Sequence, residues 1–316
     1  MPIDMNTLAV VLEQPEQLAV RRLDLTPPSP ADCVVDIHWS GISTGTERLL
    51  WSGRMPPFPG LAYPLVPGYE SVGQVVAAGE ESGRVEGELV FVPGARCYGD
   101  VAGLFGGAAA RIVAPGSRLI TLPAGLGEQG VLMALAATAY HVTGPQGQQP
   151  DLIIGHGVLG RLLARLAVAH GAAPVVWERN PARTSGAEGY QVIDPEQDER
   201  RDYRCICDVS GDSKLLDTLI GRLAPGGEIV LAGFYEAPLS FDFPPAFMRE
   251  LRLRVAAEFK EPDLIAVKQL IESGRLSFDE LITHRMPAEQ ADEAYVTAFS
   301  DPSCLKMILD WRHVDV

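Results

Sequence analysis

The hexapeptide Gly155-His156-Gly157-Val158-Leu159-Gly160 carries the clearest chemistry in the chain. Glycines at this spacing suit a backbone that turns tightly at Gly155, lets an anion approach at Gly157, and packs a helix against a strand at Gly160. The free N–H groups of that helix start would hold a pyrophosphate, so all six residues, His156, Val158 and Leu159 included, are cofactor candidates. Glu178 lies 18 residues beyond Gly160, after the apolar run Val175-Val-Trp. A carboxylate there accepts ribose hydroxyls and repels a 2′-phosphate, which favours NAD over NADP. Arg179 and Arg183 beside it are the residues that would pair with such a phosphate.

This chemistry needs a strand before the turn and an amphipathic helix after it. Asp151-Leu-Ile-Ile is an apolar strand, and Leu159, Leu162, Leu163, Leu166 and His170 follow at helical spacing before the strand Pro174-Val-Val-Trp. Cys205-Ile-Cys-Asp-Val is a further strand. Leu215, Leu216, Leu219, Ile220 and Leu223 form the next helix face, which Pro225-Gly226-Gly227 is expected to stop before the strand Glu228-Ile-Val-Leu-Ala. The alternation predicts an α/β sheet from about Gly127, entered by a helix through Val131, Leu132, Leu135, Ala136 and Ala139. Upstream, Leu8-Ala-Val-Val-Leu, Cys33-Val-Val-Asp-Ile-His-Trp, Ser71-Val-Gly-Gln-Val-Val and Glu88-Leu-Val-Phe-Val are separated by Pro/Gly turns such as Pro27-Pro-Ser-Pro, predicting a small barrel-like β domain. After about Phe259 the pattern gives two amphipathic helices, through Leu264 to Ile271 and Ala291 to Phe299, and a last strand, Leu305-Lys-Met-Ile-Leu.

The length of 316 residues fits two domains. With 47% apolar and 21% charged residues, disorder is excluded. The net charge of −15 and the lack of a basic face exclude nucleic acid as a partner. Arg249, Arg252 and Arg254 read as a strand with one solvated face. No apolar run is long enough to span a bilayer and the N-terminus lacks a signal pattern, so a cytoplasmic location is expected. Five scattered cysteines do not make a disulfide framework, and Cys205 and Cys207 read as strand residues rather than metal ligands.

The order of parts resembles the medium-chain dehydrogenase/reductase superfamily. The stretches that carry the resemblance are Ser40-Gly-Ile-Ser-Thr-Gly-Thr-Glu47, Pro67-Gly-Tyr-Glu70, Ala137-Thr-Ala-Tyr140, Asp208-Val-Ser-Gly211, Pro225-Gly-Gly and Ala232-Gly. It implies a GroES-like β-barrel domain of residues 1–134 with 259–316 and a doubly wound Rossmann domain of 135–258, with cofactor contacts from Thr138, Ser210, Gly211, Ala232 and Gly233. Zinc alcohol dehydrogenases of this group hold their catalytic metal at positions that here read Ser43 or Thr44, Tyr69 and Ala134. The four-cysteine structural zinc loop is also missing, since Cys97 is the only cysteine between Phe91 and Arg111. No metal is expected.

Without zinc, another group must take the proton of an alcohol. The candidates are Tyr69 and Glu70, with Thr44 or Thr46 as hydroxyl relays and His141 as an alternative base. Tyr69 reads equally as a pocket wall, Glu70 as an ion-pair partner at the domain junction, and His141 as structural. Within the superfamily, Gly41-Ile-Ser-Thr-Gly-Thr-Glu-Arg-Leu-Leu-Trp-Ser-Gly-Arg-Met-Pro, Tyr63-Pro-Leu-Val-Pro-Gly-Tyr-Glu-Ser-Val-Gly and Leu104-Phe-Gly-Gly-Ala-Ala resemble the bacteriochlorophyllide dehydrogenases of bacteriochlorophyll synthesis. That resemblance implies NAD-dependent oxidation of a 3-(1-hydroxyethyl) group to 3-acetyl. The cleft wall is then expected from Leu49, Leu50, Trp51, Met55, Phe58, Tyr63 and Leu104, half of which read equally as β-domain core, with Arg48 and Arg54 for a propionate or, each alone, as solvated surface arginines. Two rivals are a zinc-free NADPH-dependent quinone or enone reductase, which Glu178 disfavours, and a non-catalytic pigment- or nucleotide-binding protein. The superfamily also implies a homodimer through the edge strand Leu251-Arg-Leu-Arg-Val-Ala.

Overall fold

The structure is a computed structural model that describes residues 4–57, 59–123, 125–144 and 147–314. The chain divides into two compact units, one of residues 1–134 with 281–316 and one of residues 135–280.

Unit 1 is a β unit with two sheets. One runs β2 (Gln17–Asp24), β1 (Asn6–Gln14), β4 (Leu65–Val66), β7 (Ala102–Gly103). The other runs β16 (His284–Pro287), β17 (Met307–Asp310), β3 (Asp32–Ile42), β5 (Ser71–Ala78), β6 (Leu89–Val92), β9 (Ile120–Thr121). The long strand β3 organises this sheet. Along one edge its first half, Asp32 to Asp36, pairs with β8 (Arg111–Pro115), and its second half, Trp39 to Ile42, pairs antiparallel with β17. Residues more than 260 positions apart thus become neighbours. The core of this unit gathers Val10, Val35, Ile112, Met307, Leu309 and Trp311 with Tyr295 of helix α7 (Ala291–Ser300).

Unit 2 is a six-stranded, wholly parallel sheet. Its strands are β10 (Leu152–Ile154), β11 (Val175–Trp177), β12 (Gln191–Ile193), β13 (Tyr203–Asp208), β14 (Leu223–Leu231) and β15 (Arg252–Val255), in the spatial order β12-β11-β10-β13-β14-β15. Counted from β10, this is the 3-2-1-4-5-6 order of a dinucleotide fold. Every residue of β10 is buried, as a strand covered on both faces of a parallel sheet must be. Helix α3 (Val158–Ala169) buries Leu162, Leu163 and Leu166 of the face its spacing predicts, while Leu159 is part-buried and His170 is an exposed C-cap.

Three expectations need correction. Residues 259–280 stay with unit 2 instead of returning to unit 1. Helix α6 (Glu261–Glu272) is tied there, because Asp263 bonds His141 at 2.9 Å and the Arg275 guanidinium donates to Ala169 C=O at 2.7 Å. Helix α4 (Leu216–Arg222) ends before Pro225, since Leu223 already pairs with Tyr203. The Arg249–Arg254 stretch is not one strand with one solvated face. Arg249 caps helix α5 (Phe243–Met248), and in β15 Leu253 and Val255 are exposed along with Arg252.

Candidate active site

At the carboxyl end of β10 the chain turns through Gly155, at φ +101°, and enters α3 with Gly157 as N-cap. A Cβ on Gly160 would collide with the Gly155 carbonyl, whereas one on Gly157 would meet nothing within 4 Å. The first glycine therefore serves the turn, the last serves packing, and Gly157 leaves space in front of N–H groups that no side chain caps. Glu178, just past β11, is held against this turn: its Oε2 accepts the His156 N–H at 3.1 Å and its Oε1 the Asn180 N–H at 2.7 Å.

Ser210, Gly211, Ala232 and Gly233 assemble around the same turn. Ser210 donates its N–H and O–H to Asp208 Oδ1, at 2.9 and 2.7 Å, while Ala232 and Gly233 donate N–H groups to the Asp208 carbonyl, at 2.8 and 3.0 Å. Gly211 has φ +73°, and a Cβ on Gly233 would stand 2.8 Å from its nitrogen. Val209 reaches to 3.4 Å from where a Gly160 Cβ would be. These segments meet at the carboxyl ends of β10, β13 and β14, the switch point where such folds bind nucleotides. Thr138 is part-exposed on helix α2 (Met133–Thr143), and Arg179 is exposed. The donor set and the open glycine fit a nicotinamide dinucleotide.

His156 has a different role from its neighbours. Its side chain is fully buried, with Nδ1 2.6 Å from the Arg183 carbonyl and Nε2 2.9 Å from the Tyr190 hydroxyl. A carbonyl only accepts, so Nδ1 carries the proton and Nε2 accepts from the phenol. Burial, reinforced by the charge of Arg161, lowers its pKa to about 4 and keeps the ring neutral. Arg161 also donates to the carbonyls of His156 and Arg183, at 3.1 and 3.0 Å. This buttress fixes the turn from behind, and it occupies the backbone of Arg183 whose guanidinium the sequence suggests for a phosphate.

Unit 1 holds a second polar cluster. Glu70 is fully buried and paired with Lys306, which is also buried and donates to the Ile42 carbonyl at 3.1 Å. Gly41 makes room for this pair, since a Cβ there would strike the Glu70 carboxylate. The ion pair lies within unit 1. Burial raises the Glu70 pKa against the opposing effect of Lys306. Glu47, at the start of helix α1 (Thr46–Trp51), is buried too; its Oε1 accepts the Ser43 N–H at 3.1 Å and its Oε2 the Tyr295 hydroxyl at 2.5 Å. Burial first, then the charge of Glu70, lifts its pKa to about 7 despite those two donors and Lys306. The Tyr69 hydroxyl lies 2.7 Å from Ser43 Oγ and 3.5 Å from Thr46 Oγ1, with its ring edge-on to Phe105. Burial, with Glu70 adjacent, raises the Tyr69 pKa, so the phenol stays protonated.

Tyr69, Glu70 and Thr46 are thus brought together, with Thr44 exposed beside them. His141 belongs to unit 2, where its Nδ1 meets Asp263 Oδ2, a carboxylate that also caps α6 through the Lys260 N–H at 2.8 Å. Sequence reasoning missed Glu47, Tyr295 and Lys306. The available signals were a carboxylate four residues after Ser43 and a lone lysine in the apolar run Leu305 to Leu309. Zinc does not suit this site: Ser43 and Tyr69 offer hydroxyls bonded to each other, Ala134 offers no donor, and Glu70 is committed to an ammonium. Among the described residues no three His, Cys, Asp or Glu side chains are grouped to hold a metal ion.

The expected cleft wall divides. Leu49, Leu50, Met55 and Leu104 are buried with Leu12 and Leu65 in a small core, which removes them from a pigment-facing wall. Tyr63 packs on that core and donates its hydroxyl to the Leu50 carbonyl. Phe58 lies outside the described residues. Arg48, Trp51, Arg54, Val296 and Phe299 line a groove of about 360 Å³ in unit 1, with Trp51 and Phe299 ring centroids 5.7 Å apart.

A GroES-like β unit and a 3-2-1-4-5-6 parallel unit with a nucleotide turn at its switch point define a medium-chain dehydrogenase/reductase, an oxidoreductase that takes a nicotinamide cofactor. Residues 29–124 match the alcohol dehydrogenase GroES-like domain. An NADH-bound alcohol dehydrogenase from Escherichia coli superimposes with a TM-score of 0.83, covering 97% of this chain and 99% of its own at 23% identity. The 2-desacetyl-2-hydroxyethyl bacteriochlorophyllide a dehydrogenase of Rhodobacter capsulatus is 58% identical over 98% of this chain and 99% of its own length. That of Cereibacter sphaeroides is 56% identical, covering 98% and 99%. The chain belongs to the family of these bacteriochlorophyllide dehydrogenases. Among the described residues no helix is long and apolar enough to cross a membrane.

Proposed function

We propose that this enzyme oxidises the 3-(1-hydroxyethyl) group of a bacteriochlorophyllide to 3-acetyl, with NAD and without zinc. The observation that carries the substrate is near-full-length identity to two dehydrogenases named for a hydroxyethyl bacteriochlorophyllide. NAD is supported by Glu178, whose carboxylate is pinned at the turn where it would accept ribose hydroxyls and repel a 2′-phosphate. The absence of zinc is supported by the donor set at Ser43, Tyr69 and Ala134.

A bound nicotinamide supplies the hydride acceptor. The turn Gly155–Gly160, Thr138, Ser210, Gly211, Ala232 and Gly233 hold and orient the dinucleotide, with Glu178 on its ribose. Tyr69 and Ser43, a protonated hydroxyl pair, meet the alcohol oxygen and pass its proton on. As hydride leaves, positive charge at the carbinol carbon spreads into the conjugated macrocycle, so a weak acceptor is enough. Arg48 and Arg54 would meet the pigment's propionate and Trp51 would cover its face, a reading supported by the one groove these three line together with Glu16. The five cysteines are all unpaired, as befits the cytoplasm in which we place the enzyme.

The test is absorption of 3-hydroxyethyl bacteriochlorophyllide a with purified protein, NAD⁺ and a chelator. A red shift of the Qy band that requires NAD⁺ and survives chelation is expected. Binding without a shift overturns the catalytic reading, and turnover of small quinones with NADPH in its place overturns the substrate.

The enzyme is further proposed to be a homodimer. Strand β15 ends its sheet, and Val255 on it is 73% exposed; Phe243, Phe247 and Met248 of the preceding α5 are exposed too, at 67%, 65% and 73%. An open strand edge beside exposed large apolar side chains favours pairing with a second copy. Sedimentation should give twice the 34.0 kDa chain mass; a monomer rejects this.

A further inference from the structure

We propose that the His156 side chain sets the cofactor selectivity of this enzyme, by clamping the segment that receives the adenosine ribose onto the nucleotide turn. The inference rests on the NAD reading and assigns part of it to a residue that the glycine fingerprint leaves unspecified. The second position of a Gly-x-Gly turn accepts many side chains. Here it holds a fully buried imidazole whose two nitrogens both reach the chain beyond β11.

That segment needs a clamp. After Glu178 the chain passes through one short turn, Pro181–Arg183, on its way to Tyr190, and none of residues 179–190 is buried. Apolar packing therefore holds it weakly, because side chains left in water gain little from folding. Polar bonds hold it instead. His156 Nδ1–H donates to the Arg183 carbonyl at 2.6 Å, and Arg161 Nη2 donates to the same oxygen at 3.0 Å. Arg161 Nε also donates to the His156 carbonyl at 3.1 Å, so one guanidinium joins turn, helix α3 and segment. The chain further on is shaped around that guanidinium: Gly186 has φ +78°, and a Cβ there would lie 2.6 Å from Arg161 Nη1. The Tyr190 hydroxyl, 2.9 Å from His156 Nε2, closes the far end and fixes the tautomer of the ring.

The clamp reaches the ribose site through Glu178. One oxygen of that carboxylate accepts the His156 N–H on the turn, and the other accepts the Asn180 N–H at 2.7 Å on the segment. Asn180 is in turn tied to the clamped residue, since its carbonyl accepts the Arg183 N–H at 2.9 Å and its side chain accepts the Ala182 N–H at 3.0 Å. Holding Arg183 thus holds Asn180, and with both its donors fixed the carboxylate stands in one place. Discrimination between a ribose diol and a 2′-phosphate requires that fixed charge. When the segment is released, the Asn180 N–H leaves with it; the diol then meets a poorer acceptor and the phosphate a weaker repulsion. The imidazole acts through Arg183, Asn180 and Glu178, which makes it a positioning residue.

The experiment measures, by calorimetric titration, the affinity for AMP and for adenosine 2′,5′-bisphosphate of the native protein, His156→Ala, His156→Asn and Tyr190→Phe. The native protein should prefer AMP. His156→Ala should bind AMP about tenfold more weakly and the bisphosphate no more than about threefold more weakly, so the preference narrows. His156→Asn sets an amide N–H where Nδ1–H stands and should restore most of the preference. A residue that only supports the fold would weaken both ligands alike; an unchanged preference in His156→Ala, or no recovery in His156→Asn, overturns the assignment. Should His156→Ala fail to fold, Tyr190→Phe decides, because it removes a single hydroxyl: it should narrow the preference about threefold, and no narrowing overturns the assignment. If the native protein prefers the bisphosphate, the NAD reading fails, and the His156 assignment then stands or falls on whether His156→Ala shifts that preference and His156→Asn returns it.

Discussion

The nucleotide turn of unit 2 and the hydroxyl–carboxyl cluster of unit 1 are built on opposite principles. The turn works through backbone: N–H groups, three glycines and one carboxylate, with a neutral histidine behind it. The cluster works through side chains from four separated segments, Ser43–Glu47, Tyr69–Glu70, Tyr295 and Lys306, and burial raises the pKa of both its carboxyls. A backbone site depends on shape, because the charge of a peptide N–H is fixed. A side-chain cluster depends on charge balance, because each member sets the protonation of the others. Substitutions should therefore damage the two regions in different ways.

The largest effect is expected where charge balance breaks. Lys306→Met removes the ammonium paired with Glu70 and strands a carboxylate that is fully buried. Breaking such a pair from one side costs roughly 3–5 kcal/mol. Urea unfolding at neutral pH should show that loss, and adding Glu70→Gln to the same chain should recover most of it, since the stranded charge is then gone. A loss below ~1 kcal/mol for Lys306→Met would mean that the cluster is not charge-coupled and would erase the contrast with unit 2.

The same contrast explains what the sequence disclosed. The glycine fingerprint is contiguous, and its demands on φ and on Cβ space are properties of single positions, so Gly155, Gly157, Gly160 and Glu178 could be read directly. The strand–helix alternation marked an α/β sheet for a similar reason, since elements such as β10 and α3 bury faces that their own spacing shows. Glu47, Tyr295 and Lys306 are silent in sequence because their meaning arises when β17 pairs with β3 and α7 docks, bringing residues about 250 positions apart into contact. Leu49, Leu50, Met55 and Leu104 stayed open for a related reason: an apolar residue in a loop-rich segment suits a cleft wall or a core equally, and packing assigns these four to a core. His156 was placed correctly in the turn, but its side chain turns inward to Tyr190, and no local signal marks that direction.

A smaller effect separates shape from binding inside the turn itself. Gly160→Ala places a Cβ against the Gly155 carbonyl, a backbone atom that cannot yield without moving β10 or α3. Overpacking of this kind costs roughly 1–3 kcal/mol. Both the unfolding free energy and NAD affinity should fall, the latter about 10- to 100-fold if the strain is fully expressed in the bound form. Gly157→Ala meets no protein atom, so its stability loss should stay within ~1 kcal/mol, the difference between the two residues at an N-cap. Its methyl group instead occupies the space in front of the free N–H groups. Calorimetric titration with NAD⁺ should therefore rank Gly157→Ala at least as damaging as Gly160→Ala for binding, while urea unfolding ranks them the other way. Equal NAD affinity in Gly157→Ala and the native protein would remove the pyrophosphate from this turn.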